Sequence, residues 1–288
     1  MSEIKLSFIT DEATQDLKEA IAFAKAHGFS GVELRSVEDT PIDRISAEKL
    51  TEYKHLLDDA GLTVCNLASS FYKCFPHEVA GELEKLRRLC DAADILDCGT
   101  IRGFAFFAGE CGPEITDEIV QAFTPAIEIL KARGKTLLLE ADPSVNTTNH
   151  AALAALLEQI GSDVVGAIYD PGNDIYDMFR EVPYPDGYEA VKKWVRHVHI
   201  KDAVRNELDE SYCVCIGTGW VDYPGLIRAL NRDGYDGWMS LETHYRVGSE
   251  ISEELMTRPG GAAFSEGGLG ATAESAEALR RIVKEALA

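Results

Sequence analysis

Short apolar runs alternate along this chain with longer segments whose apolar positions recur every three or four residues. The short runs predict strands at residues 4–9, 31–35, 62–68, 94–98, 136–140, 164–170, 196–200 and 238–242. The longer segments predict helices at 14–27, 46–60, 78–93, 116–133, 150–160, 188–194, 226–232 and 273–287. Val120, Phe123, Ile127 and Leu130 illustrate the helical stripe, and Gly28, Gly61, Gly134 and Gly161 stand where helices should stop. Strands alternating with helices over 288 residues predict an α/β fold. The expected form is a (β/α)8 TIM barrel, one domain spanning 1–288 with a long loop after the eighth strand. A doubly wound sheet would share the alternation, but no glycine-rich dinucleotide fingerprint follows the first strand.

In such a barrel the chemistry sits at the carboxyl ends of the strands. Here those ends are unusually acidic: Glu140 closes Leu137-Leu-Leu-Glu, Asp170 closes the sixth strand, and Glu242 closes Met239-Ser-Leu-Glu. Val195-Arg-His-Val-His-Ile-Lys-Asp202 adds His199 at the tip of the seventh. A carboxylate directly after a run of leucines costs several kcal/mol if buried without a partner. Glu140, Asp170, His199 and Glu242 converging on one point resolve that cost as a divalent-metal site. Three carboxylates and one imidazole are a hard, oxygen-rich set that suits Mn²⁺ or Mg²⁺, with Co²⁺ a further candidate, rather than the thiolate or histidine-rich donors of a zinc site. Such an ion binds two neighbouring oxygens of a hydroxy-carbonyl compound and stabilises an enediolate, while Glu140 and Glu242 exchange the proton. The same arrangement permits loss of a β-hydroxyl, so a dehydratase is chemically close to an isomerase. Glu33, Asn173, Lys201, Arg205 and His244 stand at or just beyond strand ends as candidates to contact substrate. His197, two residues before His199 and on the same side of the strand, is expected deeper and held by hydrogen bonds.

Charge and cysteine content narrow the setting. The net charge is −21, against the basic surface that nucleic acid requires, so no nucleic-acid partner is expected. No apolar run is long enough to span a membrane. The seven cysteines include no CxxC pair. With no secretory-signal pattern at the start of the chain, they predict reduced thiols in a cytoplasmic protein.

Gly31-Val-Glu-Leu-Arg35, Leu137-Leu-Leu-Glu140 and His197-Val-His-Ile-Lys-Asp202 together resemble the xylose isomerase-like barrel superfamily, the sugar phosphate isomerase/epimerase group. So does the run from Gly217-Thr-Gly-Trp-Val-Asp-Tyr223 to Gly234-Tyr-Asp-Gly-Trp-Met-Ser-Leu-Glu242. Members include ketose 3-epimerases, hydroxypyruvate isomerases, inosose and dehydroshikimate dehydratases and a repair endonuclease. The resemblance implies the same four metal ligands, and Glu140 and Glu242 as the acid–base pair. It implies substrate binding by Arg205, six residues after the metal histidine. Where the epimerases often carry histidine, three residues after the metal aspartate, this chain has Asn173. The histidine-rich three-zinc site of the endonuclease is not matched.

Residues 243–270 form a long excursion, in which Gly260-Gly-Ala-Ala-Phe264 and Gly267-Gly268 supply a hinge and one bulky anchor. It is expected to act as a lid that excludes water, with an oligomer contact or a plain surface loop as the alternatives. Phe71, Tyr72, Phe104, Phe106, Phe107 and Trp220 are expected at the mouth, against a sugar ring or as loop core. The expected function is metal-dependent isomerisation or epimerisation of a small carbohydrate, with a lyase and a non-catalytic sugar-binding barrel as alternatives. By analogy with other lidded barrels, a homo-oligomer is expected.

Overall fold

Eight parallel strands carry the molecule: β1 (Lys5–Phe8), β2 (Gly31–Leu34), β3 (Thr63–Phe71), β4 (Thr100–Gly103), β5 (Thr136–Glu140), β6 (Val165–Tyr169), β7 (Val195–Ile200) and β8 (Trp238–Leu241). They are seen in a computed structural model that describes residues 4–249 and 251–288. Each strand pairs with the next in sequence from β2 to β8, and β8 pairs with β1. A bridge between Ile9 and Glu33 and the Ser30 N–H to Leu6 carbonyl bond (3.1 Å) bring β1 against β2, so the ring is nearly closed. This is the TIM barrel that the alternation predicts.

Outside the barrel lie α1 (Leu17–His27), α2 (Ala47–Asp59), α3 (Val79–Ile95), α4 (Asp117–Arg133), α5 (His150–Ile160), the short α6 (Tyr188–Val191), α7 (Tyr223–Arg232) and α8 (Gly268–Ala286). Asp16 caps α1 through the Lys18 and Glu19 amides. Gly28, Gly134 and Gly161, at φ 70°, 60° and 57°, end α1, α4 and α5 in the left-handed conformation that glycine adopts without strain.

The strands have two faces. Val32, Leu34, Leu137, Leu139, Val198, Ile200, Met239 and Leu241 are wholly buried and join the apolar layer beneath the helices. The alternate positions, Glu33, Asn66, Arg102, Glu140, His197 and His199, are also buried but meet one another across the barrel. The barrel interior is therefore polar towards its carboxyl end, and each of its charges has a partner.

Two segments differ from expectation. The strand expected at 94–98 is the end of α3: its stripe continues through Leu89 and Ala93 to the buried Leu96, Asp97 turns the chain at φ 54°, and β4 follows at Thr100–Gly103. The short apolar run Asp94-Ile-Leu-Asp-Cys98, which spans the helix end and the turn after it, looks locally like a strand. Strand β3 also runs on to Phe71, into residues expected as loop. The loop after β7 folds into an antiparallel hairpin, Asp202–Arg205 with Ser211–Val214. The excursion after β8 contains two short helices, Glu253–Thr257 and Gly261–Ser265, and its residue 250 lies outside the described residues. All seven cysteines are free thiols.

Candidate active site

Strand order alone brings four of the predicted residues together. Glu140 ends β5, Asp170 follows β6, His199 lies near the end of β7, and Glu242 follows β8 with its N–H on the Ile200 carbonyl (3.0 Å). All four are buried, and one donor atom from each lies within 4.8 Å of the others. His199 Nδ1 is 2.8 Å from Glu140 Oε1 and 3.4 Å from Glu242 Oε2.

Behind His199, Glu33 is the common partner of three groups. Its carboxylate meets His199 Nε2 (3.2 Å) and His197 Nε2 (3.0 Å) and accepts from Asn66 Nδ2 (2.6 Å). Burial would raise the pKa of Glu33, but His199 and His197 hold it well below the usual carboxylate range. With Nε2 engaged by a carboxylate, Nδ1 of His199 is aimed at Glu140 and Glu242. This is the carboxylate–histidine arrangement that orients metal ligands.

Two cations the sequence did not single out neighbour this cluster. Arg102, on β4, reaches Glu140 Oε2 (3.0 Å) and Glu242 Oε1 (3.4 Å), and donates to the carbonyls of Ala68 and Ser69. Arg35, just after β2, reaches Glu242 Oε1 (3.3 Å) but is mainly engaged by Asp11 and Glu12. Lys201 Nζ lies 2.9 Å from Glu242 Oε2 and 2.6 Å from Asp170 Oδ2. The latter contact is an ion pair outside hydrogen-bond geometry, so Asp170 Oδ2 is fully buried without a hydrogen-bond donor. A Cβ on Gly172 would stand 2.5 Å from the Lys201 carbonyl, so only glycine lets the Asp170 turn approach β7 this closely.

Protonation follows from these contacts. Burial opposes ionisation of Glu140 and Glu242, but both are held low, Glu140 by Arg102 and His199, Glu242 by Lys201, His244 and His199. Burial pushes Asp170 up to about 7 despite Lys201. Against the effect of burial, Glu33, Glu140 and Glu242 raise His199 well above the ordinary imidazole value.

The donor set fits a divalent cation. With Arg35 assigned to its closer partners Asp11 and Glu12, Glu33, Glu140, Asp170 and Glu242 carry four negative charges when ionised, while Arg102 and Lys201 supply two positive ones, and 4 − 2 leaves two. Protons on His199 and Asp170 match that difference, and so does one divalent ion bound to the four donors. Glu12, Glu242 and His244 form an adjoining group, but Arg35 and Arg246 already approach its carboxylates.

Above the cluster opens a cavity of about 1250 Å³, lined by Glu140, Asn173, Lys201, Glu242 and His244 among the predicted residues. Asn173 donates to the Ala141 carbonyl (2.8 Å), which ties the Asp170 turn to the end of β5. His244 lies 2.9 Å from Glu12. Glu33 lies beneath the cluster and does not line the cavity. Arg205 is not brought there either, because its guanidinium donates to the Ile175 and Asp177 carbonyls (2.6 and 3.0 Å) and pairs with Asp209. Asp202 holds the Gly217–Gly219 loop through two backbone amides.

Among the aromatics, Phe71, Tyr72 and Phe106 stack as loop core. Phe104 lines the cavity with Lys73 and Arg102 over its ring, and Trp220 is exposed. The 243–270 segment is pinned by Phe264, wholly buried with Arg35 4.4 Å and Arg246 5.1 Å from its ring centre. Gly261 N–H bonds to Ser36 Oγ (3.0 Å) at the same seam.

The xylose isomerase-like TIM barrel family pattern matches residues 21–282. The chain belongs to that family. Among solved structures it is similar to the probable 3-DHS dehydratase AsbF, involved in petrobactin synthesis, from Bacillus anthracis, at 18% identity and TM-score 0.73, covering 96% of this chain and 99% of that one. It is similar to a D-allulose 3-epimerase from Methylomonas sp. solved with D-allulose, at 17% identity and TM-score 0.71, covering 98% of each chain. A third is a xylose isomerase-like TIM barrel protein from Mycobacterium smegmatis in complex with magnesium, at 18% identity and TM-score 0.70, covering 100% of this chain and 98% of that one. At these identities the likeness establishes the shared fold. Among the described residues, no helix is long and apolar enough to cross a membrane.

Proposed function

We propose that this chain is a divalent-metal-dependent isomerase or epimerase of a small carbohydrate. The carrying observation is the buried set Glu140, Asp170, His199 and Glu242, which offers one ligand atom each within 4.8 Å of the others and, with Glu33 behind it, holds two more carboxylates than the cations Arg102 and Lys201 match. Mn²⁺ or Mg²⁺, with Co²⁺ a further candidate, suits these oxygen-rich donors. Bound there, the ion supplies stabilisation of negative charge developing on substrate oxygen.

The remaining work falls to side chains. Glu140 and Glu242 both line the cavity and are both held ionised, so either can take a proton from a substrate carbon and return it to the neighbouring carbon, and inversion at one carbon requires the opposite carboxyl to carry a proton drawn from solvent. Glu33 keeps His199 oriented, and Arg102 keeps Glu140 in place. The polar cavity wall and Phe104 accommodate a sugar-sized molecule, and the segment pinned by Phe264 limits access of water. The magnesium complex of the Mycobacterium smegmatis barrel and the D-allulose complex of the Methylomonas epimerase support the metal and the substrate class.

A lyase is the second reading, favoured by one observation. Lys201 lines the cavity with its ammonium 2.9 Å from Glu242, which sets a proton donor beside a base, as departure of a hydroxyl requires. The relation to the probable dehydratase from Bacillus anthracis supports it. The placement of Arg205 away from the cavity weighs against a close copy of the ketose 3-epimerases. A homo-oligomer accords with either reading.

The test is a metal-replete screen of ketoses, inososes and keto-sugar derivatives in deuterated water, read by mass. Isomerisation conserves the molecular skeleton and takes up deuterium at the α-carbon, whereas dehydration yields a product lighter by one water. A non-catalytic sugar-binding barrel does neither. Full activity after exhaustive chelation would refute the metal dependence.

A further inference from the structure

Asp170 is held from behind by residues that do not line the cavity. His150, the first residue of α5, is wholly buried and lies against the Tyr169 ring at 4.5 Å. Its Nδ1 is 2.8 and 2.7 Å from the two carboxylate oxygens of Asp174, and its Nε2 is 3.2 Å from the backbone nitrogen of Asp170. A backbone amide can only donate, so Nε2 is the bare nitrogen and the ring proton sits on Nδ1, donated to Asp174.

Asp174 belongs to the short helix Pro171–Tyr176 that Asp170 caps. The chain on both sides of the Asp170 side chain is therefore tied to one imidazole: the Asp170 amide directly, and the following turn through Asp174. The Asp170 carboxylate adds its own restraint, with Oδ1 accepting from Gly172 N–H at 2.9 Å. What remains is Oδ2, directed to Lys201 and the cluster.

We infer that the His150–Asp174 pair is the positioning device for Asp170 and sets the affinity of the four-residue site for a divalent cation. The inference rests on the metal site proposed above and goes beyond it, since neither residue is a ligand or touches substrate. A separate cation site at His150, Asp174 and Glu181 is disfavoured by the same geometry. Nδ1 already carries the proton, and Glu181 is engaged with the His150 and Ala151 amides at the start of α5. Nothing near His150 in sequence marks it: it sits at the head of a helix, and its partners lie in a different loop.

Two isosteric substitutions test the pair. In His150→Asn the amide nitrogen takes the place of Nδ1 and keeps the donor to Asp174, but the acceptor for the Asp170 amide is lost. In His150→Gln the terminal oxygen reaches the place of Nε2 and keeps that acceptor. Each is titrated with Mn²⁺ by calorimetry, beside a urea unfolding curve. His150→Asn is expected to bind Mn²⁺ about 10- to 100-fold more weakly than wild type, and His150→Gln, which keeps the direct tie to Asp170 but loses the one through Asp174, to fall between the two. Wild-type affinity in His150→Asn, or equal weakening in both variants, would overturn the inference. Nitrogen NMR of wild-type protein carrying labelled histidine provides a reading that needs no variant to fold. His150 should show a protonated Nδ1 and a bare Nε2, and the opposite tautomer or a doubly protonated ring would overturn the assignment. Wild type that binds no Mn²⁺ would instead remove the metal site, while the tautomer result would stand.

Discussion

Glu33 stands behind His199 with its Oε2 3.2 Å from Nε2, on the side of the ring opposite Glu140. A residue expected to touch substrate is thus placed to orient His199, the proposed metal ligand. Glu33→Gln should lower divalent-metal affinity roughly 10- to 100-fold. Calorimetric titration with Mn²⁺ measures this, and an unchanged affinity would remove Glu33 from the orienting role.

Glu242 is contacted by Arg35, Arg102 and Lys201 and lines the cavity, so charge and position both converge on it. Glu242→Gln is expected to abolish turnover on whatever substrate the screen identifies and to weaken metal binding. Full activity in that variant would show that Glu242 is neither base nor ligand.

The pH dependence follows from Asp170, Glu181 and His199, all raised in the folded state. Burial carries Asp170 and Glu181 to about 7, and three carboxylates carry His199 upward against burial. A raised folded-state pKa means that the folded form binds protons more tightly than the unfolded chain. The contribution is complete below the unfolded value and fades as pH rises through the folded value. The metal-free protein should therefore melt at a lower temperature at about pH 8 than at about pH 6. Metal binding requires the opposite protonation state. Affinity should rise over the same interval, with net proton release on binding measured by calorimetry in buffers of different ionisation enthalpy. A pH-independent affinity with no proton release would contradict the charge matching described for the site.

Phe264 is the buried anchor of the 243–270 segment, under two guanidinium groups. Phe264→Ala should cost about 3–5 kcal/mol if the segment unfolds with the barrel. If the segment opens separately, the substitution should instead expose it to proteolysis with little change in the urea midpoint. Limited proteolysis and urea denaturation distinguish the two outcomes, and the absence of both effects would mean that Phe264 does not pin the segment.

Arg205 provides the contrast. Its guanidinium holds the Ile175 and Asp177 carbonyls, so Arg205→Ala should leave metal affinity unchanged and lower stability by about 1–3 kcal/mol. A large rise in KM with no loss of stability would restore it to substrate binding.

Much of this site was legible along the chain because a barrel places strand ends in one ring. Once residues 136–140, 164–170, 196–200 and 238–242 are taken as parallel strands, Glu140, Asp170, His199 and Glu242 must share a rim, whatever the helices do. Arg102 was hidden because the strand carrying it was placed a few residues early, on a short apolar run at a helix end. Asp11 and Glu12 lie beyond the first strand, in the short helix Thr10–Ala13, and so lacked the strand-end position that made Glu140 conspicuous. His150 carries no local signal, since its partners belong to another loop.

The chain alone determined the alternation of strands and helices, the acidic strand ends and the histidine at the seventh, because these depend on periodicity and local residue chemistry. Only the folded structure decided which charges meet. It placed Glu33 behind His199, turned Arg205 to backbone carbonyls and set Arg102 and Lys201 against the carboxylates. Those pairings join residues far apart in sequence, and their energies depend on side-chain direction and burial, which periodicity does not encode.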